Sequence, residues 1–314
     1  MKAALMFPGQ GSQYVGMGSD LVRAYPRIAE MYEEADEALG FSISKLCFEG
    51  DPDVLTQTRN AQPAILLHSI AVTETLTAEG GVVPVLVAGH SLGEYSALVV
   101  AGVLNGMDAL RIVRKRGELM FEAGIRQPGT MAALIGMDRE DVEALCRESS
   151  SDGSTVVVAN VNSPGQLVVS GHVEAVDRAM TLARERGAKK AVRLNVSGAF
   201  HSPLVASAQE ELVSFIEEFP LSDASIDVIC NADAKTARTK EEIVDALSRQ
   251  LTSPVLWSDS MRLLADKWDG AVMEIGPGKV LKGLFRRIIS ERDVEQIGTM
   301  EELEKYVAPR VEIA

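Results

Sequence analysis

Cysteine is scarce: three residues in 314, at Cys47, Cys146 and Cys230. They are odd in number, far apart, and form neither a CxxC pair nor a Cys/His zinc spacing. They read as free thiols of a reducing compartment. Basic residues are also few, 31 Lys and Arg against 45 Asp and Glu, for a formal net charge of −14. A general binder of nucleic acid or anionic membrane draws its affinity from a basic surface, and none is expected here. No apolar run approaches the roughly 20 residues of a membrane span. The start, "MKAALMFPGQGS", has one lysine and too short an apolar stretch for a secretory signal. A cytoplasmic protein is the expectation. Repeats, low-complexity tracts and a heptad seam are missing too, and a monomer is expected. What remains is ordinary: 46% hydrophobic and 24% charged residues give material for one large domain or two modest ones.

Strand and helix patterns alternate, which predicts an α/β fold. Strands are expected at 3–7 and 82–88, with helices at 27–39, 63–78 and 107–123. The middle of the chain differs. Strand at 130–137, helix at 138–149, two strands joined by "NSPG", helix at 172–187 and strand at 189–196 give the order βαββαβ, the ferredoxin-like pattern. This predicts a small subdomain, 127–197, inserted into a large catalytic domain made of 1–126 and 198–314 with a parallel sheet. A helix at 203–218 and further helix and strand signals follow the insert.

The stretch "GHSLGE" (89–94) places a serine where a buried strand turns directly into a helix. Gly89-His90-Ser91-Leu92-Gly93 fits G-x-S-x-G, a tight turn that holds one hydroxyl out for attack. The N–H of Leu92 and the N-terminus of the following helix favour a developing oxyanion. A tight turn with an incidental serine is the plainer alternative.

A serine nucleophile needs a base. Of four histidines, His68 falls mid-helix as a core residue. His90 is expected to point away from the reacting side, and His172 to cap a helix or face solvent. His201, in "SGAFHSPLV", is read as an exposed loop residue fixed by a helix start, with Ser202 as N-cap and Pro203 in the first turn. It is the best candidate. On the helix 107–123, a rotation of about 100° per residue gathers Ala109, Leu110, Ile112, Val113, Gly117, Met120 and Phe121 on one face. Arg116 falls inside that apolar arc. A buried guanidinium is costly unless it meets an anion. Either it pairs internally with a carboxylate such as Glu274, or it is a socket for a substrate carboxylate, which its planar fork suits. The loop "FPGQGSQYVGMG" fails G-x-G-x-x-G, and neither it nor "GPGKV" supplies a Walker Lys-Ser/Thr pair. The first loop reads instead as a backbone-donating loop beside the serine.

Together these segments resemble the malonyl-CoA:acyl-carrier-protein transacylase family: "FPGQGSQ", "GHSLGEYSAL", the Arg-Gly at 116–117, "NSPGQ", "SGAFHSP" and "EIGPG", spread over nearly the whole chain. The resemblance implies an α/β-hydrolase-like large domain with a ferredoxin-like insert. It implies Ser91 and His201 as a dyad, and Gln10 and Leu92 N–H groups as oxyanion hole. It implies Arg116 on the malonyl carboxylate, and the main-chain carbonyl of Gln250 orienting the histidine. Phe200, immediately before the histidine, is the residue that accompanies malonyl rather than methylmalonyl use in related acyltransferases. Malonyl-CoA and an acyl carrier protein are the implied partners, with transfer by a ping-pong route that needs no metal or redox cofactor. A serine hydrolase on the same dyad and a silent carrier-binding module are the alternatives. Arg116 argues against the first, and the presence of both dyad members against the second.

Overall fold

The computed structural model describes residues 1–307. Its strands, in chain order, are β1 (Lys2–Phe7), β2 (Val83–Gly89), β3 (Gly129–Ile135), β4 (Val156–Ser163) and β5 (Gln166–His172). There follow β6 (Lys190–Arg193), β7 (Asp227–Ile229), β8 (Thr236–Ala237), β9 (Ala271–Ile275) and β10 (Glu295–Ile297). Two sheets result. The larger runs β10-β9-β1-β2-β7-β8, the smaller β4-β5-β3-β6.

β1 lies between β2 and β9 and pairs parallel with both, which is why it reads as an unbroken apolar run buried from Ala3 to Phe7. The larger sheet is parallel except at one edge. The two-residue β8 folds back antiparallel on β7, a feature too short for a sequence signal. In the smaller sheet every pair is antiparallel. The helices Arg139–Ser149 and Val173–Glu185 bury Val142, Leu145, Val176 and Ala179 against Leu134 and Val169, completing βαββαβ. Asp138 stands at the N-cap of the first of these helices without a side-chain capping bond. The smaller sheet is tied to the rest by a parallel bridge, with Val161 N–H on the Val255 carbonyl (2.9 Å) and Val255 N–H on that of Ala159 (2.8 Å).

Three boundaries differ from expectation for physical reasons. β6 ends at Arg193 rather than 196: it pairs with Ala132–Ile135 of β3, one further bond runs from Leu194 N–H to the Met131 carbonyl at 2.9 Å, and the chain then turns out of the sheet, with Leu194–Val196 lining the cavity described below. The helix expected from Pro63 begins at Thr58 and runs to Ala78. Pro63 has no N–H for the Arg59 carbonyl, and Arg114 Nη1 bonds that carbonyl instead, at 3.1 Å. The helix expected at 203–218 is a 3-10 turn, Pro203–Val205, followed by the helix Ala206–Ile216. No helix among the described residues is long and apolar enough to cross a membrane.

Candidate active site

The serine turn is built by exclusion of side chains. A Cβ on Gly89 would lie 1.9 Å from the Gly93 carbonyl carbon, and one on Gly93 would lie 2.1 Å from the Phe7 carbonyl oxygen. Only glycine lets β1, β2 and the helix Gly93–Val100 approach so closely. Between them Ser91 adopts φ +52°, a left-handed backbone that a side chain normally avoids. Its hydroxyl donates to His201 Nε2 at 2.8 Å. His201 Nδ1 faces two carbonyls, Gln250 at 3.0 Å and Ser253 at 3.2 Å. Carbonyls only accept, so Nδ1 carries the proton and Nε2 presents its lone pair to the serine.

His201 differs from expectation in one respect: it is 4% exposed, not an open loop residue. Its own segment reads as a loop, but the connection after Gln250 packs over it and supplies the two carbonyls. Like Ser91 it has positive φ, +57°, and such strain persists where the surroundings over-determine it. Ser202 caps the following turn as expected, accepting from Leu204 N–H at 3.3 Å. Burial, reinforced by the charge of Arg116, pushes the His201 pKa down to about 3, against the pull of the two carbonyls. The ring is therefore neutral and ready to accept a proton at neutral pH. In a histidine-labelled NMR titration its resonances are expected to stay fixed from pH 8 to pH 5. A His201 resonance titrating near 6.5 would show a solvated ring.

The other histidines have other partners. His68 is fully buried and donates from Nε2 to the Gly298 carbonyl at 2.8 Å. His172 Nδ1 accepts from Thr155 N–H at 3.0 Å without capping its helix. His90 does not point away from the cleft: it lines the cavity and meets Asn162 Oδ1 of β4 at 2.8 Å.

Arg116, on the helix Gly106–Arg126, is 1% exposed. Its Nη1 donates to Gln62 Oε1 (2.7 Å), and its Nη2 to Gln250 Oε1 (3.1 Å) and Ser91 Oγ (3.0 Å). No carboxylate pairs with it among the described residues. The internal pair with Glu274 is not formed, because that carboxylate accepts from Leu281 N–H (3.0 Å) and Lys282 N–H (2.7 Å) at the start of the helix Val280–Ile288. The helical face around Arg116 is otherwise as expected except at Phe121, which is 38% exposed and meets the Arg59 guanidinium.

A cavity of about 380 Å³ opens between the two sheets over Ser91. Gln10, Leu92, Arg116, Phe200 and His201 line it, as does the stretch Leu194–Val196 released from β6. Gln250 stands behind the dyad. The N–H groups of Gln10 and Leu92 donate to no acceptor among the described residues. Four residues that sequence reasoning did not single out complete the site: Gln62, Asn162, Asn231 and Glu94. Asn231 Oδ1 accepts from Ser91 N–H at 2.6 Å. Its position two residues beyond β7, at the strand end where ligands gather, was the readable signal.

The acyl transferase domain model matches residues 5–306. The chain belongs to the acyl transferase family. This acyl transferase is 46% identical over 287 residues to the malonyl CoA-acyl carrier protein transacylase of Bacillus subtilis, covering 91% of this chain and 90% of that one. Its structure is similar to that of the malonyl CoA-acyl carrier protein transacylase of Coxiella burnetii, with a TM-score of 0.93 and 37% identity over 98% and 97% of the two chains. It is equally similar (TM-score 0.93, 38% identity, 98% and 99% covered) to a malonyl-transacylase solved in complex with a type II PKS acyl-carrier protein. In an acyl transferase the arrangement has a direct chemical meaning. A hydroxyl faces a neutral imidazole, Gln10 and Leu92, their N–H groups unpaired among the described residues, line the same cavity, and a buried cation lies 3.0 Å from that hydroxyl.

Proposed function

We propose that this acyl transferase moves a malonyl group from malonyl-CoA to the phosphopantetheine thiol of an acyl carrier protein through a covalent malonyl-Ser91. One observation carries the reading: Arg116 is a buried cation with no carboxylate partner among the described residues, 3.0 Å from Ser91 Oγ. A hydrolase pocket for neutral acyl groups has no use for it. The relatives' names, and the relative solved with its carrier, support the same substrates.

His201 Nε2 takes the hydroxyl proton as Ser91 Oγ attacks the thioester carbonyl, and the Gln10 and Leu92 N–H groups receive the oxyanion. The C–S bond breaks, and the coenzyme A sulfur leaves with the proton from His201. The carrier thiol repeats the steps in reverse order, giving its proton to His201, which returns it to Ser91. Arg116 holds the free carboxylate throughout. These steps call on no metal or redox cofactor. The proposed setting is fatty-acid or polyketide synthesis in the cytoplasm, with the protein acting as a monomer.

The test is intact-protein mass spectrometry after brief incubation with malonyl-CoA, then again after adding a holo acyl carrier protein. One malonyl group on the enzyme, passed to the carrier faster than free malonate appears, is the expected result. Faster release of malonate would make the protein a hydrolase.

Phe200 is 5% exposed and stands on the cavity wall beside His201. It is expected to crowd a branched α-carbon. One methyl group is worth about 1–3 kcal/mol of discrimination, or about 10- to 200-fold. Malonyl-CoA should therefore be preferred to methylmalonyl-CoA by that margin in kcat/KM, and Phe200→Ala should narrow it. Equal values in the wild type would remove Phe200 from substrate selection.

A further inference from the structure

The catalytic turn continues into Glu94, a carboxylate in the first turn of the helix Gly93–Val100 that is 1% exposed and takes no part in the steps above. One of its oxygens, Oε2, accepts two hydrogen bonds from opposite sides: Gln250 Nε2 at 2.9 Å and the Asn231 N–H at 3.1 Å. Those same two residues grip Ser91. Asn231 Oδ1 takes the Ser91 N–H (2.6 Å), and its Nδ2 donates to the Gly89 carbonyl (2.6 Å). Gln250 Nε2 also donates to the Ser91 carbonyl at 3.0 Å. Both peptide groups of the strained serine are therefore held by side chains, and the two residues that hold them meet on one carboxylate oxygen, Gln250 through its side-chain amide and Asn231 through its main-chain N–H.

A left-handed serine needs such holding, because the conformation is unfavourable unless its surroundings over-determine it. Gln250 extends the same connection to the rest of the site, with its main-chain carbonyl on His201 and its Oε1 on Arg116. Glu94 makes no direct ion pair with Arg116, whose Nη1 and Nη2 donate to Gln62, Gln250 and Ser91 instead. We propose that Glu94 is the positioning residue of the nucleophile: its Oε2 fixes Asn231 and Gln250, and through them the attack geometry of Ser91. The role belongs to the reach of the acceptor, not to its charge. The proposal rests on the reading of Ser91 as nucleophile.

Reach and charge are separated by two conservative changes. Glu94→Gln keeps an acceptor oxygen at the same distance and loses the charge; Glu94→Asp keeps the charge and withdraws the oxygen by one methylene. The probe is a small fluorophosphonate, which forms an Oγ–P bond on Ser91 with loss of fluoride, the serine proton passing to His201. It reports the nucleophile without using the carboxylate socket. The readouts are the labelling rate, malonyl transfer and a thermal melt, with Ser91→Ala as the unlabelled control.

A 1 Å misplacement at a reacting centre costs about 10²-fold. Glu94→Asp is expected to slow labelling and malonyl transfer by a common factor of about 10- to 100-fold, with the KM for malonyl-CoA changed less than about twofold. Glu94→Gln is expected to regain at least about tenfold of that loss. Labelling in Glu94→Asp at the wild-type rate, or Glu94→Gln slower than Glu94→Asp, overturns the proposal. Equal losses in the two variants that track a lowered melting temperature also overturn it, since they mark a merely structural carboxylate. A wild type that takes no label would instead sink the reading of Ser91 itself, a distinguishable failure.

Discussion

Ser91→Ala is expected to remain folded and to acquire no malonyl group from malonyl-CoA. Among the described residues the Ser91 hydroxyl bonds only His201 Nε2 and Arg116 Nη2, and Arg116 keeps Gln62 and Gln250 as acceptors without it. Alanine tolerates the φ of +52° no worse than serine, and the grip of Asn231 and Gln250 acts on the backbone, which the change leaves intact. His201→Ala should retain the nucleophile but slow acylation by about 10²–10⁴-fold, the usual contribution of a positioned general base. It should also lower the melting temperature, because the Gln250 and Ser253 carbonyls lose their buried donor. Intact mass after seconds to minutes with malonyl-CoA measures both. An undiminished adduct on Ser91→Ala refutes the nucleophile. An active His201→Ala, with His90→Ala or His68→Ala inactive, refutes the base.

The parts of the site that were legible in the sequence are those whose cause is local. Strand, turn and helix follow one another within 83–100, and the glycines at 89 and 93 mark the close approach that the backbone makes. Arg116 announced itself by breaking the apolar arc of its own helix. The βαββαβ order was readable because each element carries its own periodicity. Tertiary packing hid the rest. The burial of His201 is created by a connection some 50 positions further on, and "SGAFHSP" alone reads as an open loop. Glu94 looks like an ordinary acid in a first helical turn. Its partners Asn231 and Gln250 lie 137 and 156 positions away, beyond any pattern of spacing. Gln62 was hidden in an apolar helix whose polar position makes sense only opposite Arg116. Phe121 erred the other way, since helical periodicity assigns a face but not where the neighbouring helix stops covering it.

Arg116→Ala is expected to change which acyl group the enzyme accepts. In the wild type the guanidinium lines the cavity with Nη2 at 3.0 Å from Ser91 Oγ, and among the described residues no carboxylate pairs with it, so a substrate carboxylate can take that place. Burial lowers its pKa, and the neighbouring Tyr95 and Glu94 oppose that shift; a guanidinium starts so high that it meets the substrate as a cation. Removing one partner of a largely desolvated charge pair costs about 2–5 kcal/mol, or about 30- to 5,000-fold in kcat/KM for malonyl-CoA. Some loss will be common to every donor, because Gln62 Oε1 and Gln250 Oε1 are left buried without the donor they now have, and Gln250 is tied to His201 and Ser91. Absolute rates therefore cannot separate a binding residue from a structural one; the ratio can. Acetyl-CoA has no carboxylate to lose, so the malonyl-to-acetyl ratio of kcat/KM should fall by most of the full effect. A purely structural arginine lowers the melting temperature and both rates together, leaving the ratio where it was. Measuring kcat/KM for the two donors beside a thermal melt decides between them, and an unmoved ratio would take Arg116 out of substrate recognition.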